Sequence, residues 1–184
     1  MKLLKEIYES TVGKIKEDSL VQEKKYKVRK SARAVLFNKT GQIALLNVTK
    51  KNYHKLPGGG LEGQESILQA LDRELIEEVG VGIEGESEVG LIVEYRDEIN
   101  VLQFSYCYYG SIAGEIGKTS YSDSELKDGF ELIWVDLDTA IEKMKRDIPS
   151  DYFGQFIQFR DLIILNETKE ILGKNNIIIQ IKKL

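Results

Sequence analysis

Residues 58–81 read GGGLEGQESILQALDRELIEEVGV. From Gln64 to Val79 the apolar spacing predicts a helix, with Gly80 as its C-cap. Leu68, Leu71, Leu75 and Val79 form a stripe that would pack inward. Glu74, Glu77 and Glu78 stand at i, i+3 and i+4, and successive helical residues turn by about 100°, so these acids share a face. Like charges crowded in this way cost roughly 0.2–0.5 kcal/mol per unfavourable pair at a solvated surface. One reading is a solvated acidic face balanced by Arg73. The other is a site for a hard cation, because carboxylate oxygens suit magnesium or manganese. The glycines at 58, 59 and 60 favour the second reading, since backbone without side chains can approach a metal or a phosphate closely.

Loop and helix together fill a longer pattern. Gly59, five residues, Glu65, seven residues and then Arg73-Glu74-Leu75-Ile76-Glu77-Glu78-Val79-Gly80-Val81 resemble the Nudix box, GX5EX7REUXEEXGU with U apolar, at every specified position. The resemblance implies an α/β fold, the α/β/α sandwich of that family with a mixed β-sheet. It would span residues 25–171, leaving an N-terminal extension (1–24) and a C-terminal tail (172–184). It also implies magnesium-dependent hydrolysis of a diphosphate linkage, with manganese as a substitute ion. By resemblance, Glu77 and Glu78 match metal-binding acids, and Glu74 matches the acid that binds metal or acts as general base. Arg73 matches the arginine that orients the glutamates, Glu65 included. The Gly58 carbonyl matches a backbone metal ligand, and Gly59, Glu65 and Gly80 are the structural positions of the box. The family often uses a further acid before the final core strand; Glu125 is the first candidate and Glu131 the second.

Ahead of the box, ARAVLFN (32–38) and QIALLNV (42–48) are β-rich runs joined by Asn38-Lys39-Thr40-Gly41, a hairpin turn. Beyond it, strands are expected at Val89–Tyr95, Val101–Tyr109 and Leu132–Val135, and helices at Leu137–Arg146 and Tyr152–Ile171. In the second of these strands Leu102, Phe104, Tyr106 and Tyr108 alternate with Gln103, Ser105 and Cys107. The aromatic side is expected to be core, with the polar side free to line a cleft. Leu3–Val12 reads as a short amphipathic helix. The IIIQI run near the C-terminus fits either a strand or a helix. Both ends are candidates for packing on the domain or for a homodimer contact.

The net charge of -4 lacks the basic face that a nucleic-acid polymer requires. It leaves room for a small anion, because a bound divalent cation inverts the local charge. No run approaches the roughly 20 apolar residues of a membrane span. Cys107 is the only cysteine, and a reducing cytoplasm is the simplest setting.

Lys55, Arg33 and Arg96 are candidates for pairing with substrate phosphate, the alternative for each being a solvated charge. His54, the only histidine, reads as a strand-end residue rather than a base. The box does not encode the group attached to the nucleoside diphosphate. Family members acting on ADP-ribose tend to carry a proline after the box, but here the only prolines are Pro57 and Pro149. Members acting on diadenosine polyphosphates tend to carry a tyrosine, and Tyr95 falls early for it. No NADH-pyrophosphatase motif follows. By elimination the expected substrate is a nucleoside triphosphate, oxidised or noncanonical forms included. The competing expectation is a Nudix-fold sensor that binds a nucleotide or nucleotide sugar with little hydrolysis.

Overall fold

The computed structural model describes residues 1–13 and 25–174. Its strands are β1 (Leu3–Tyr8), β2 (Lys27–Phe37), β3 (Ile43–Val48), β4 (Tyr53–Lys55), β5 (Ile83–Arg96), β6 (Val101–Ile112) and β7 (Phe130–Val135). Its helices are α1 (Ile67–Val79), α2 (Asp123–Asp128), α3 (Leu137–Arg146) and α4 (Tyr152–Lys174). The strands form one sheet in the order β1-β5-β6-β2-β3-β4, and β7 pairs with β3. The β1–β5 and β2–β6 pairs are parallel and the others antiparallel, so the sheet is mixed.

Helices cover both faces. Leu71, Leu75 and Val79 of α1 pack against Ala32, Ala34 and Leu36 of β2. On the other face α3 and α4 bring Ile141, Met144, Phe156 and Leu165 against Val35, Ile43 and Ile92. Side chains of a strand alternate between faces, so β2 serves both cores. The α/β/α sandwich expected from the sequence is the fold observed.

Leu3–Val12 is not a helix. Leu3–Tyr8 is a strand, and Glu9–Val12 make one 3-10 turn. The reason is tertiary: β5 offers an open edge whose backbone groups need partners, and an extended β1 satisfies them. Ile7 is fully buried there, and Tyr8 stacks on Tyr95 at 4.6 Å. The IIIQI run lies outside the described residues.

The polarity of β6 is also the reverse of expectation. Gln103, Ser105 and Cys107 are fully buried, while Phe104, Tyr106 and Tyr108 are half-buried. The polar row lies under α4, and its groups are satisfied there. Gln103 Nε2 donates to Glu94 at 2.7 Å, and Ser105 Oγ donates to the same carboxylate oxygen at 3.0 Å. A satisfied polar row can be buried.

Candidate active site

Helix α1 starts at Ile67, three residues later than the apolar spacing predicts. Ser66 is the N-cap, accepting from Gln69 N while the Gln69 side chain accepts from Ser66 N, a capping box. With this phase Ala70 is buried and Leu68 is exposed, so Leu68 is not part of the inward stripe. Gly80 ends the helix in the left-handed region.

The glycine loop runs beside β2 like an irregular strand. Ala34 N donates to Pro57 O at 3.1 Å, Ala32 N to Gly59 O at 3.0 Å, and Leu61 N to Lys30 O at 3.1 Å. Two of its glycines are required by contact. A Cβ on Gly58 would strike the Ala32 carbonyl, and its φ of +126 already disfavours other residues. A Cβ on Gly59 would occupy the place of the Glu74 carboxylate.

The three acids do not share one environment. Glu78 is buried, with Nζ of Lys55 2.6 Å from Oε1 and the Gly58 amide donating to Oε2 at 2.6 Å. Burial pushes its carboxyl above the usual range, and Lys55 pulls it back. The same Lys55 ammonium donates to Gly58 O at 3.4 Å. Glu74 and Glu77 meet instead at Nη1 of Arg73, at 3.0 and 3.1 Å. Arg73 also grips Glu65 through Nε at 2.8 Å and Nη2 at 3.2 Å, and donates to Gly60 O at 2.9 Å. One guanidinium thus ties helix, loop and three carboxylates together. Hydrogen bonding to Arg73 holds the Glu65 carboxyl below its usual range.

Among the described residues no three acidic, histidine or cysteine side chains already converge as a preformed metal cage. The donor chemistry nevertheless suits a hard divalent ion. The donors are all oxygens, and the Lys55 ammonium stands between the Glu78 carboxylate and the Gly58 carbonyl as a cation would.

Beside this cluster lies a cleft of about 480 Å³ between β2, β6, α2 and α4. Arg33 and Arg96 line it and are buried, as is Lys55, so none of the three is a solvated charge. Arg96 donates to Glu94 at 2.8 Å and lies over the Phe153 and Phe156 rings. Lys55 lies over the Phe130 ring at 5.0 Å. Glu125 stands at the cleft rim, where its carboxylate accepts from Ser122 N and Oγ at 2.7 and 2.8 Å. Glu131 is exposed on β7. His54 is turned away from the glutamates to Asp147, with Nδ1 2.8 Å from Oδ1.

Gln103, from the polar row expected to be free to line a cleft, does line it; sequence reasoning missed Arg29 and Arg160 in the cleft, and Glu94 and Asp161 behind it. Arg29 donates to Gln103 at 2.6 Å. Arg160 Nε donates to Asp161 at 2.7 Å, and the Asp161 carboxylate accepts from Leu56 N at 2.8 Å. A signal was present, since Arg160-Asp161 interrupts the apolar run FIQFRDLIIL, and Arg29 and Arg33 share parity on β2.

A family model described as the NUDIX domain matches residues 27–154. Among solved structures, the NUDIX domain of Shewanella oneidensis NrtR, complexed with ADP ribose, is similar at a TM-score of 0.56 and 15% identity, over 85% of this chain and 94% of that one. The E. coli ORF135 protein matches at 0.54 and 18% identity, over 79% of this chain and 91% of that one. The MutT protein from Methanosarcina mazei Go1 matches at 0.53 and 22% identity, over 80% and 99%. No curated protein sequence matches the chain.

Proposed function

Because the chain belongs to the Nudix family, hydrolases of phosphoric anhydride bonds, we propose that it cleaves a diphosphate linkage in a nucleoside diphosphate joined to another group, using magnesium. The specific form we propose is a nucleoside triphosphate pyrophosphohydrolase. One observation carries the reading. Helix α1 delivers Glu74 and Glu78 to the backbone of consecutive glycines, Glu74 against Gly59 and Glu78 onto the Gly58 amide.

The residues that would hold the metal are Glu74, Glu77, Glu78 and the Gly58 carbonyl. When bound, the ion would neutralise diphosphate oxygens and lower the pKa of an attacking water. Arg73 keeps the carboxylates oriented through its shared contacts. Glu74, or Glu125 from the cleft rim, would accept the proton. Lys55, Arg33 and Arg96 would supply positive charge for the substrate phosphates.

The test is a screen of the purified chain with magnesium against nucleoside triphosphates, nucleotide sugars, dinucleotides and ADP-ribose, measuring released phosphates. Turnover that vanishes on chelation and in Glu77→Gln supports the proposal. Tight binding with no turnover on any of them would replace it with a sensor.

A further inference from the structure

The cleft beside the glutamates gathers guanidiniums whose buried N–H groups the described residues do not all satisfy. Four guanidiniums line it, those of Arg29, Arg33, Arg96 and Arg160. Among the described residues the buried carboxylates that pair with them are Glu94 and Asp161, neither of which lines the cleft, and Glu78, itself paired with Lys55, acts on Arg33 only through its field. Glu94 takes Arg96 at 2.8 Å and Arg160 at 3.6 Å, and Asp161 takes Arg160 at 2.7 Å. At the rim, Asp128 is paired with Lys51 at 2.6 Å, and Glu125, which accepts from Ser122, keeps its charge but has no ion pair to the arginines among the described residues.

Arg33 has no ion pair to a carboxylate among the described residues. It is 5% exposed, and its Nε and Nη1 have no hydrogen-bond partner among the described residues. Arg96 Nε and both Nη atoms of Arg160 are in the same position. Burial pushes the Arg33 guanidinium down to about 10, which still leaves it charged at neutral pH. A buried charge without a partner is costly, and such groups in a native fold call for an explanation. An apolar ligand would worsen the cost, and a neutral base would leave the charge unbalanced. A dianion would balance it, and guanidiniums arriving from β2, β5 and α4 suit a tetrahedral group with several acceptor oxygens.

We propose that this cleft is a phosphoryl subsite, which takes a phosphate that the substrate carries beyond the two phosphorus atoms of the scissile linkage. The inference rests on the hydrolase reading for the word substrate, but the subsite itself can be tested without turnover. Two sources fit the chemistry: a longer polyphosphate chain, or a phosphate on the sugar.

The first experiment uses the full chain in EDTA at constant ionic strength, following thermal unfolding as sodium phosphate replaces chloride. The expected result is a saturable rise in Tm for the wild type, lost in Arg33→Met and reduced in Arg29→Met. In chloride alone Arg33→Met should be at least as stable as the wild type, because it removes an unbalanced buried charge. An equal rise in Arg33→Met, or a rise in acetate as large as in phosphate, overturns the subsite. The second experiment adds magnesium. It compares kcat/KM for a nucleoside triphosphate against the diphosphate of the same nucleoside, and for ADP-ribose 2′-phosphate against ADP-ribose. The pair with the source that is used should differ by about tenfold or more, and the difference should collapse in Arg33→Met. Ratios that Arg33→Met leaves unchanged overturn the proposal. If nothing is hydrolysed, the hydrolase reading fails while the phosphate titration in EDTA still decides the subsite.

Discussion

Nζ of Lys55 lies 2.6 Å from Oε1 of Glu78, and both side chains are almost wholly buried, at 9% and 2% exposure. Strand β4 and helix α1 therefore meet through a buried ion pair at the centre of the proposed active site. Removing one partner of such a pair leaves an uncompensated charge and costs about 3–5 kcal/mol. Lys55→Met should destabilise the chain on that scale in chemical denaturation, and the double variant Lys55→Met/Glu78→Gln should recover part of the loss. Magnesium should raise the Tm of Lys55→Met more than that of the wild type, because the ion can take over the ammonium's role. Additive losses in the double variant would show that the two groups do not depend on each other.

The Glu77 side chain is 43% exposed, and among the described residues it bonds to Arg73 alone. Glu77→Gln should therefore shift unfolding by no more than about 0.5 kcal/mol. Its turnover should fall on the order of a hundredfold or more, since a carboxylate acting on the reacting charge has been lost. Parallel denaturation and steady-state kinetics would separate the two effects.

Gly58 and Gly59 should respond differently to alanine. Gly58→Ala meets backbone and carries a positive φ, so it should cost about 1–3 kcal/mol of stability. Gly59→Ala meets the movable carboxylate of Glu74, so it should lower kcat while leaving the Tm close to that of the wild type. A Gly59→Ala enzyme with normal kcat would mean that Glu74 is not needed where the structure holds it.

The Glu65–Arg73 contact predicts a pH effect with a definite sign. The Glu65 carboxyl is held down by Arg73, so its contribution to stability is present above the unfolded value of about 4.3. It is lost as pH falls through the lower folded value. Urea unfolding between about pH 3 and 7 should show a shallower acid limb for Glu65→Gln than for the wild type. Parallel acid limbs would contradict the assignment.

Ile7 on β1 is fully buried against the α4 side of the sheet. Ile7→Ala should cost about 2–5 kcal/mol, as for a core residue. A loss below about 0.5 kcal/mol, as at a free surface, would show that β1 is not needed by the fold.

Much of this protein was legible in the residues themselves. The apolar spacing of α1, the Asn38–Gly41 turn and the limits of α3 are local, set by helix periodicity, turn chemistry and caps that act within a few residues. The box acids and glycines were legible for the same reason, since their spacing along one helix and one loop already brings them together. Glu78 was not legible in full. One helix face was expected to hold all three acids alike, yet packing on the loop buries Glu78 with Lys55 and leaves Glu77 half-exposed.

Tertiary structure alone decided the remainder. Leu3–Tyr8 is extended because β5 has an edge to fill, which no local propensity can report. Gln103 and Ser105 of the buried row can be polar because Glu94, from another strand, accepts from both. Arg29, Arg33, Arg96 and Arg160 come from three elements distant in the chain, and only the folded sheet under α4 gathers them into one cleft. A pattern within one helix is written in the spacing of its residues. A charge balance among side chains from separate elements exists only once those elements have packed.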